Sequence, residues 1–240
     1  MPEAGAQRWL VTGASRGIGL AIANAALHGG GRVALLSRGG ADLTEGHDGR
    51  AIALKGDVTR PAEMQAAADT LAERWGGIDV LVNNAGLHRG GLVDRIDLDD
   101  FASVLSTNVS GPLNTVRACL PHFPDSGGAI VNIGAVVGMR GFAGDVAYGT
   151  SKAALSGMTK VLAIELARRA ICVNLVLPGF VSTEMTAELS AKARERIVED
   201  IPLRREGSPE EIAQVVWWVA QSRYMTGSIV ATDGGLMARL

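Results

Sequence analysis

Trp9-Leu10-Val11-Thr12-Gly13-Ala14-Ser15-Arg16-Gly17-Ile18-Gly19 reads as a short strand running into a Gly-rich turn. Trp9 to Thr12 are apolar or β-favouring, the mark of a strand buried on both faces. Gly13, Gly17 and Gly19 follow in the spacing G-x-x-x-G-x-G. Ile22, Ala25, Ala26 and Leu27 then recur at helical spacing until Gly29-Gly30 closes the helix. A strand, a Gly-rich turn and a helix let backbone N–H groups and a helix N-terminus approach a phosphate. An ordinary tight turn has the same outline. Three glycines in seven positions directly after a strand favour nucleotide binding.

The same unit recurs outward from this stretch. Strands are expected at Arg32–Ser37, Ala51–Lys55, Ile78–Val82, Ile130–Ile133, Ile171–Leu177 and Gly227–Ala231. Helices are expected from Pro61 to Trp75, from Leu98 through Asn108, from about Tyr148 with Leu155, Met158, Leu162 and Leu166 as its core stripe, and from Ser208-Pro209-Glu210-Glu211. The crossover over 39–50 is Gly-rich, so its helix is expected to be short or absent. Strands alternate with helices and no linker interrupts them. The expectation is α/β: a single-domain, Rossmann-type, doubly wound parallel sheet of about seven strands with helices on both faces, spanning 1–240. Variable loops near 87–97 and 180–200 are expected to shape a substrate pocket. The last helix is apolar nearly all round at Val215-Val216-Trp217-Trp218, which predicts burial of both faces, one of them against another subunit.

Bulk properties exclude several classes. The 240 residues carry a net charge of −2, with 47% hydrophobic and 20% charged residues. That charge gives no general attraction for nucleic acid or an anionic membrane. The longest apolar run, Val215–Ala220, is too short to span a bilayer. The first residues lack a signal-peptide pattern, and Cys119 and Cys172 sit in apolar contexts, so buried free thiols in a reducing, cytoplasmic setting are expected. The four histidines show no ligand spacing, and no metal site is expected.

Several side chains carry chemistry. Tyr148 and Lys152 stand four apart, on one face of a helix. An ammonium beside a phenol favours the phenolate, making Tyr148 a candidate general acid/base. At the end of the second strand, Leu36-Ser37-Arg38 lacks the acid that usually binds a ribose 2′-OH. Arg38 and Arg16 instead suit a 2′-phosphate, so NADP(H) is the expected cofactor. Asp57 could accept from an adenine amino group or cap the following helix. Asn83-Asn84-Ala85-Gly86 ends a strand, where asparagines can bond neighbouring loops. Asn108 in a helix interior implies a specific partner or a local break.

Thr12-Gly13-Ala14-Ser15-Arg16-Gly17-Ile18-Gly19, Asn83-Asn84-Ala85-Gly86, Asn108, Tyr148-x-x-x-Lys152 and Pro178-Gly179 occur in that order. Together they resemble the short-chain dehydrogenase/reductase family across essentially the whole chain. Gly86–Arg95, Pro178–Thr186 and Asp233–Met237 are similar to the 3-oxoacyl-acyl-carrier-protein reductases of that family. The resemblance implies hydride transfer between NADPH and a carbonyl, with Tyr148 as proton donor. Lys152 would lower the Tyr148 pKa and bind the nicotinamide ribose, and Asn108 would hold a water leading from Lys152 to solvent. Gly13, Ser15, Arg16, Gly17, Ile18, Gly19, Arg38, Asp57, Val58, Asn84, Ala85, Gly86, Pro178, Gly179 and Thr183 would line the cofactor. A homotetramer is implied, built through the long helices and the C-terminal helix and strand.

There is one departure at the centre of the pattern. The family places a serine thirteen residues before the tyrosine, and here that position is Ala135. That serine donates a hydrogen bond to the substrate oxygen. Its absence leaves open an introduced substitution, a reductase with another donor, or a chain that binds nucleotide or a partner without turnover. Retention of Tyr148, Lys152 and Asn108 favours a reductase framework. The region before Ile130 also lacks a basic cluster, leaving Arg168 and Arg169 as the candidate docking patch for an acyl carrier protein. A free ketone or an acyl group on coenzyme A is equally compatible.

Overall fold

A computed structural model describes residues 6–40, 49–187 and 189–238. Seven parallel strands form one sheet in the order β3-β2-β1-β4-β5-β6-β7. They are β1 Arg8–Thr12, β2 Arg32–Ser37, β3 Ala51–Lys55, β4 Val80–Asn83, β5 Gly128–Ile133, β6 Ile171–Pro178 and β7 Ile229–Thr232. The helices are α1 Gly17–His28, α2 Pro61–Trp75, α3 Leu98–Leu105, α4 Gly111–Cys119, α5 Val146–Leu166, α6 Glu184–Ala187, α7 Ala191–Asp200 and α8 Pro209–Gln221.

Alternation along the strands feeds two cores. Val11, Val33, Leu35, Val82 and Val131 pack with α1 and α8 on one face. Leu10, Leu36, Leu81, Ile130 and Val173 pack with α2, α4 and α5 on the other. Successive side chains on a strand point to opposite faces, so these continuous apolar runs serve both layers. Leu155, Leu162 and Leu166 of α5 are buried as their spacing predicts. Arg8 at the start of β1 holds Asp79 through two side-chain bonds of 2.7 Å, pinning the entry to β4.

The boundaries differ from expectation where the backbone leaves the sheet. Ile78 donates its N–H to His122 O, so β4 begins only at Val80. Gly227 lies at φ +72°, outside the β region, and β7 starts at Ile229. The expectation for the 39–50 crossover falls largely outside the described residues. Asp57 does not cap α2, because Arg60 occupies the N-cap position. Ser208 does cap α8: its Oγ accepts from Glu211 N–H, and Glu211 reciprocates at Ser208 N–H. Burial of both faces of α8 does not hold within the chain. Ile212, Ala213, Val216 and Val219 pack inward, whereas Trp217 is 39% and Trp218 54% exposed. A helix carries only one stripe toward its own sheet.

β1 lies between β2 and β4, so the chain leaves it to opposite sides. Loops at the C-terminal ends of β1 and β4 therefore diverge and open a crevice, the usual ligand position in such sheets. No helix among the described residues is long and apolar enough to cross a membrane.

Candidate active site

The crevice is a cleft of about 480 Å³ running over the ends of β1 to β6. Gly13, Ser15, Arg16, Gly17, Ile18 and Gly19 contribute from the turn after β1. Arg38, Asp57 and Val58 enter from the ends of β2 and β3, and Asn84, Ala85 and Gly86 from the end of β4. Ala135, Tyr148 and Lys152 come from β5 and α5, and Pro178, Gly179 and Thr183 from the end of β6. Sequence reasoning passed over Leu36, Thr107, Ile133, Glu184 and Met185, which also line it. Leu36, Glu184 and Met185 lie in stretches the sequence had singled out without being named as lining residues, whereas Thr107 and Ile133 reach the cleft through the tertiary fold.

Close backbone approach explains the glycines. Gly13 sits at φ +64°, and a Cβ there would fall 2.8 Å from Ala85 Cα. A Cβ on Gly19 would overlap Gly13 O and the Asn84 amide. Gly17, at φ +55°, has only Thr183 side-chain carbons near, at 3.7 Å or more. Gly19→Ala should therefore lower stability by about 1–3 kcal/mol through overpacking. Gly17→Ala should cost only the left-handed backbone, roughly 1–2 kcal/mol, and leave the turn in place. Thermal melts, read with nucleotide titration, should show the Gly19 variant losing binding the more severely; equal loss in both would refute the steric account.

Thr12 and Asn84 hold the two diverging loops together. Thr12 Oγ1 accepts from Asn84 N–H and Ala85 N–H at 3.0 Å each. Asn84 Nδ2 donates to Thr12 O at 3.0 Å and Gly13 O at 3.1 Å. Asn83 is buried and donates to Asn132 Oδ1 at 2.9 Å.

Asn108 does not line the cleft; it is fully buried behind it. It lies in a π-helical turn, Ser106–Ser110, that interrupts the helical run between α3 and α4, so both the break and the specific partner are present. Asn108 Oδ1 accepts from Leu87 N–H at 2.7 Å, and Nδ2 donates to Leu87 O and Ser151 Oγ at 2.9 Å each. Ser151 Oγ donates in turn to Tyr148 O at 2.7 Å. The amide thus ties the loop after β4 to the first turn of α5, where Tyr148 stands.

Lys152 Nζ lies 5.5 Å from the Tyr148 ring centroid and donates to Ile133 O at 2.9 Å. The expected depression of the Tyr148 pKa is absent from the free chain. Burial pushes the Tyr148 hydroxyl up to about 12, with the Asp145 carboxylate adding to the rise. Burial likewise brings the Lys152 ammonium down to about 8. Desolvation dominates at both because it opposes the charged form of each.

At the other end of the cleft, burial works to raise the Asp57 carboxyl, but donation from Thr59 N–H and Oγ1–H, with Arg38 and Arg60 nearby, holds it below the ordinary value. Arg38 is exposed and makes no hydrogen bond or ion pair among the described residues. Arg16 pairs with Glu184 at 2.7 Å, both well exposed. Arg168 and Arg169 stand beyond the far end of α5, roughly 30 Å from Tyr148 by the helical rise, and Arg169 donates to Leu120 O. Sequence reasoning also missed His88 and Asp145, which meet beside Tyr148. Neither belongs to a spacing pattern, since 57 positions separate them.

The chain belongs to the short-chain dehydrogenase/reductase family. Residues 13–237 match the family described as enoyl-(acyl carrier protein) reductase. The chain is 44% identical over 235 residues to carbonyl reductase family member 4 of Danio rerio, covering 95% of this chain and 96% of that protein. It is 39% identical over 237 residues to the 3-oxoacyl-[acyl-carrier-protein] reductase FabG of Thermotoga maritima, covering 95% and 96%. Among solved structures, a blue fluorescent protein from a metagenomic library, in complex with NADPH, superposes with a TM-score of 0.86 at 32% identity, covering 96% of this chain and 97% of that one.

Proposed function

We propose that the chain is an NADPH-dependent reductase of a ketone or 3-oxoacyl thioester. The observation that carries this reading is the convergence of Tyr148 and Lys152 on the same cleft as the Gly13–Gly19 turn. The cleft suits a dinucleotide. Its turn has no room for a Cβ at Gly13 or Gly19, and the end of β2 presents the exposed Arg38 rather than an acid. The turn and the N-terminus of α1 would hold the pyrophosphate, Arg38 and Arg16 the 2′-phosphate, and Asp57 the adenine amino group. NADPH held there would supply the hydride for the carbonyl carbon.

Tyr148 gives its proton to the carbonyl oxygen. Its raised pKa keeps that proton in place at neutral pH. The Lys152 ammonium stabilises the phenolate as it forms and binds the nicotinamide ribose. Asn108, through Ser151, fixes the turn that carries Tyr148 and supports a water path from Lys152. The Ala135 side chain offers no hydrogen bond, so the substrate oxygen is held by one donor fewer than the family pattern supplies.

Arg38→Ala should weaken NADPH binding roughly 10–100-fold, the worth of a charge-assisted contact, and leave NADH binding nearly unchanged. Fluorescence titration of both nucleotides would measure this. Equal affinity of the unaltered chain for the two would overturn the assignment. Oxidation of NADPH by acetoacetyl thioesters on coenzyme A and on acyl carrier protein tests the reaction and ranks the carriers. Homotetramer assembly belongs to the same reading: Val161 and Ile164 of α5 and Trp218 of α8 are 53%, 79% and 54% exposed. Light scattering would test it.

Ala135 favours a second reading, a homologue that binds NADP(H) or a partner without turnover. Any Tyr148-dependent reduction by the chain as it stands would rule that out.

A further inference from the structure

Two loops meet beside Tyr148. Gly91 N–H donates to Gly144 O at 2.7 Å, and Gly91 bridges to Asp145 in parallel register. This ties the segment after β4 to the start of α5. It brings His88 Nε2 to 2.8 Å from Asp145 Oδ1. The His88 ring stands edge-on to the Tyr148 ring, with centroids 5.0 Å apart and planes at 76°. Three titratable groups therefore face Tyr148: Lys152 from its own helix, Asp145 from that helix's N-cap, and His88 from the loop. The neighbouring arginines are engaged elsewhere, Arg89 with Asp100 and Arg140 with Asp200 and Leu236 O.

A carboxylate near a phenol opposes its ionisation, because the phenolate would be a like charge. Asp145 acts on Tyr148 in that direction. An imidazolium bonded to the same carboxylate removes the opposition, and histidine is the side chain whose charge changes near neutral pH. We infer that His88 is a positioning residue for the reduction: held by Asp145 and packed edge-on against Tyr148, its protonated form cancels the Asp145 charge and eases release of the Tyr148 proton. The inference rests on Tyr148 being the proton donor of the proposed reaction. It makes proton release depend on whether the Asp145 charge is offset by His88.

One arm of the test needs neither cofactor nor substrate. The chain has two tyrosines, and the second, Tyr224, is fully exposed. In a Tyr224→Phe background, ultraviolet difference titration reports Tyr148 alone. Adding Asp145→Asn should move its ionisation to lower pH, and an unmoved titration overturns the inference. The second arm reads turnover, in the Ala135→Ser background if the unaltered chain is too slow. His88→Phe keeps the ring packing and should lower reductive kcat about tenfold, with KM little changed. Asp145→Asn should raise kcat several-fold at alkaline pH, and in the double variant it should suppress the His88→Phe defect. A purely structural role predicts that both single variants slow the enzyme and that their defects add; that result overturns the inference. If no form reduces any ketone, the proposed reaction fails, and the optical titration still decides whether Asp145 governs Tyr148.

Discussion

Ala135→Ser is expected to raise the reductive kcat by about 10²–10³, the usual worth of one hydrogen-bond donor to a developing oxyanion. Ala135 follows β5 and opens a short 3₁₀ turn, Val136–Gly138. Its backbone is extended, at φ −163° and ψ 152°, which any residue adopts. It lines the cleft with Tyr148 and Lys152 and keeps 9% of its surface exposed. A serine there adds one oxygen without disturbing the backbone, and that hydroxyl would be shared between water and substrate. The gain should appear in kcat more than in KM, because the donor acts on charge that forms only in the transition state. Paired steady-state kinetics over a panel of ketones and thioesters, with thermal melts as a control for folding, would measure it. Equal rates in the two forms would show that another group already supplies the contact.

Tyr148→Phe is expected to lower the reductive rate by about 10²–10⁴, the usual range for loss of a positioned acid. Phenylalanine preserves the ring that packs edge-on against His88, so folding should be kept. Nucleotide affinity should change by no more than a few-fold, since in the proposed reaction the phenol meets the substrate carbonyl. The position of its pKa explains why the effect should be large. Burial holds the free chain's hydroxyl up near 12, so at neutral pH the proton is present and ready to be given. Its departure must then be helped by the Lys152 ammonium, and Lys152→Met should remove part of the same rate. The two defects should be less than additive because the groups act as a unit. Single-turnover measurements at saturating NADPH separate this step from binding and product release. Retention of most of the activity by the phenylalanine variant would assign the proton to another group.

The strands and helices were legible because their periods are local. Pro61–Trp75 shows both ends in the sequence, with proline inside the start and glycine just past the end. Boundaries slipped where a distant partner took over a backbone group, as His122 does for Ile78. The Gly-rich side of the cleft was equally open to reading. A glycine forced by close backbone approach leaves a mark at its own position, and Gly13 and Gly19 carry that mark. Asn108 could be flagged as odd for a helix, though its partners Leu87 and Ser151 could not be named.

The sequence by itself determined the doubly wound sheet, the nucleotide turn, the pairing of Tyr148 with Lys152 and the gap at Ala135. The first three are written in neighbouring residues at a fixed period, and the gap shows only against the family pattern. Only the tertiary structure decided the state of the Tyr148–Lys152 pair, the partners of Asn108 and the meeting of His88 with Asp145. Desolvation depends on everything packed around a group, and contacts between residues 57 apart are set by how two loops close over the sheet. Spacing along the chain carries neither quantity.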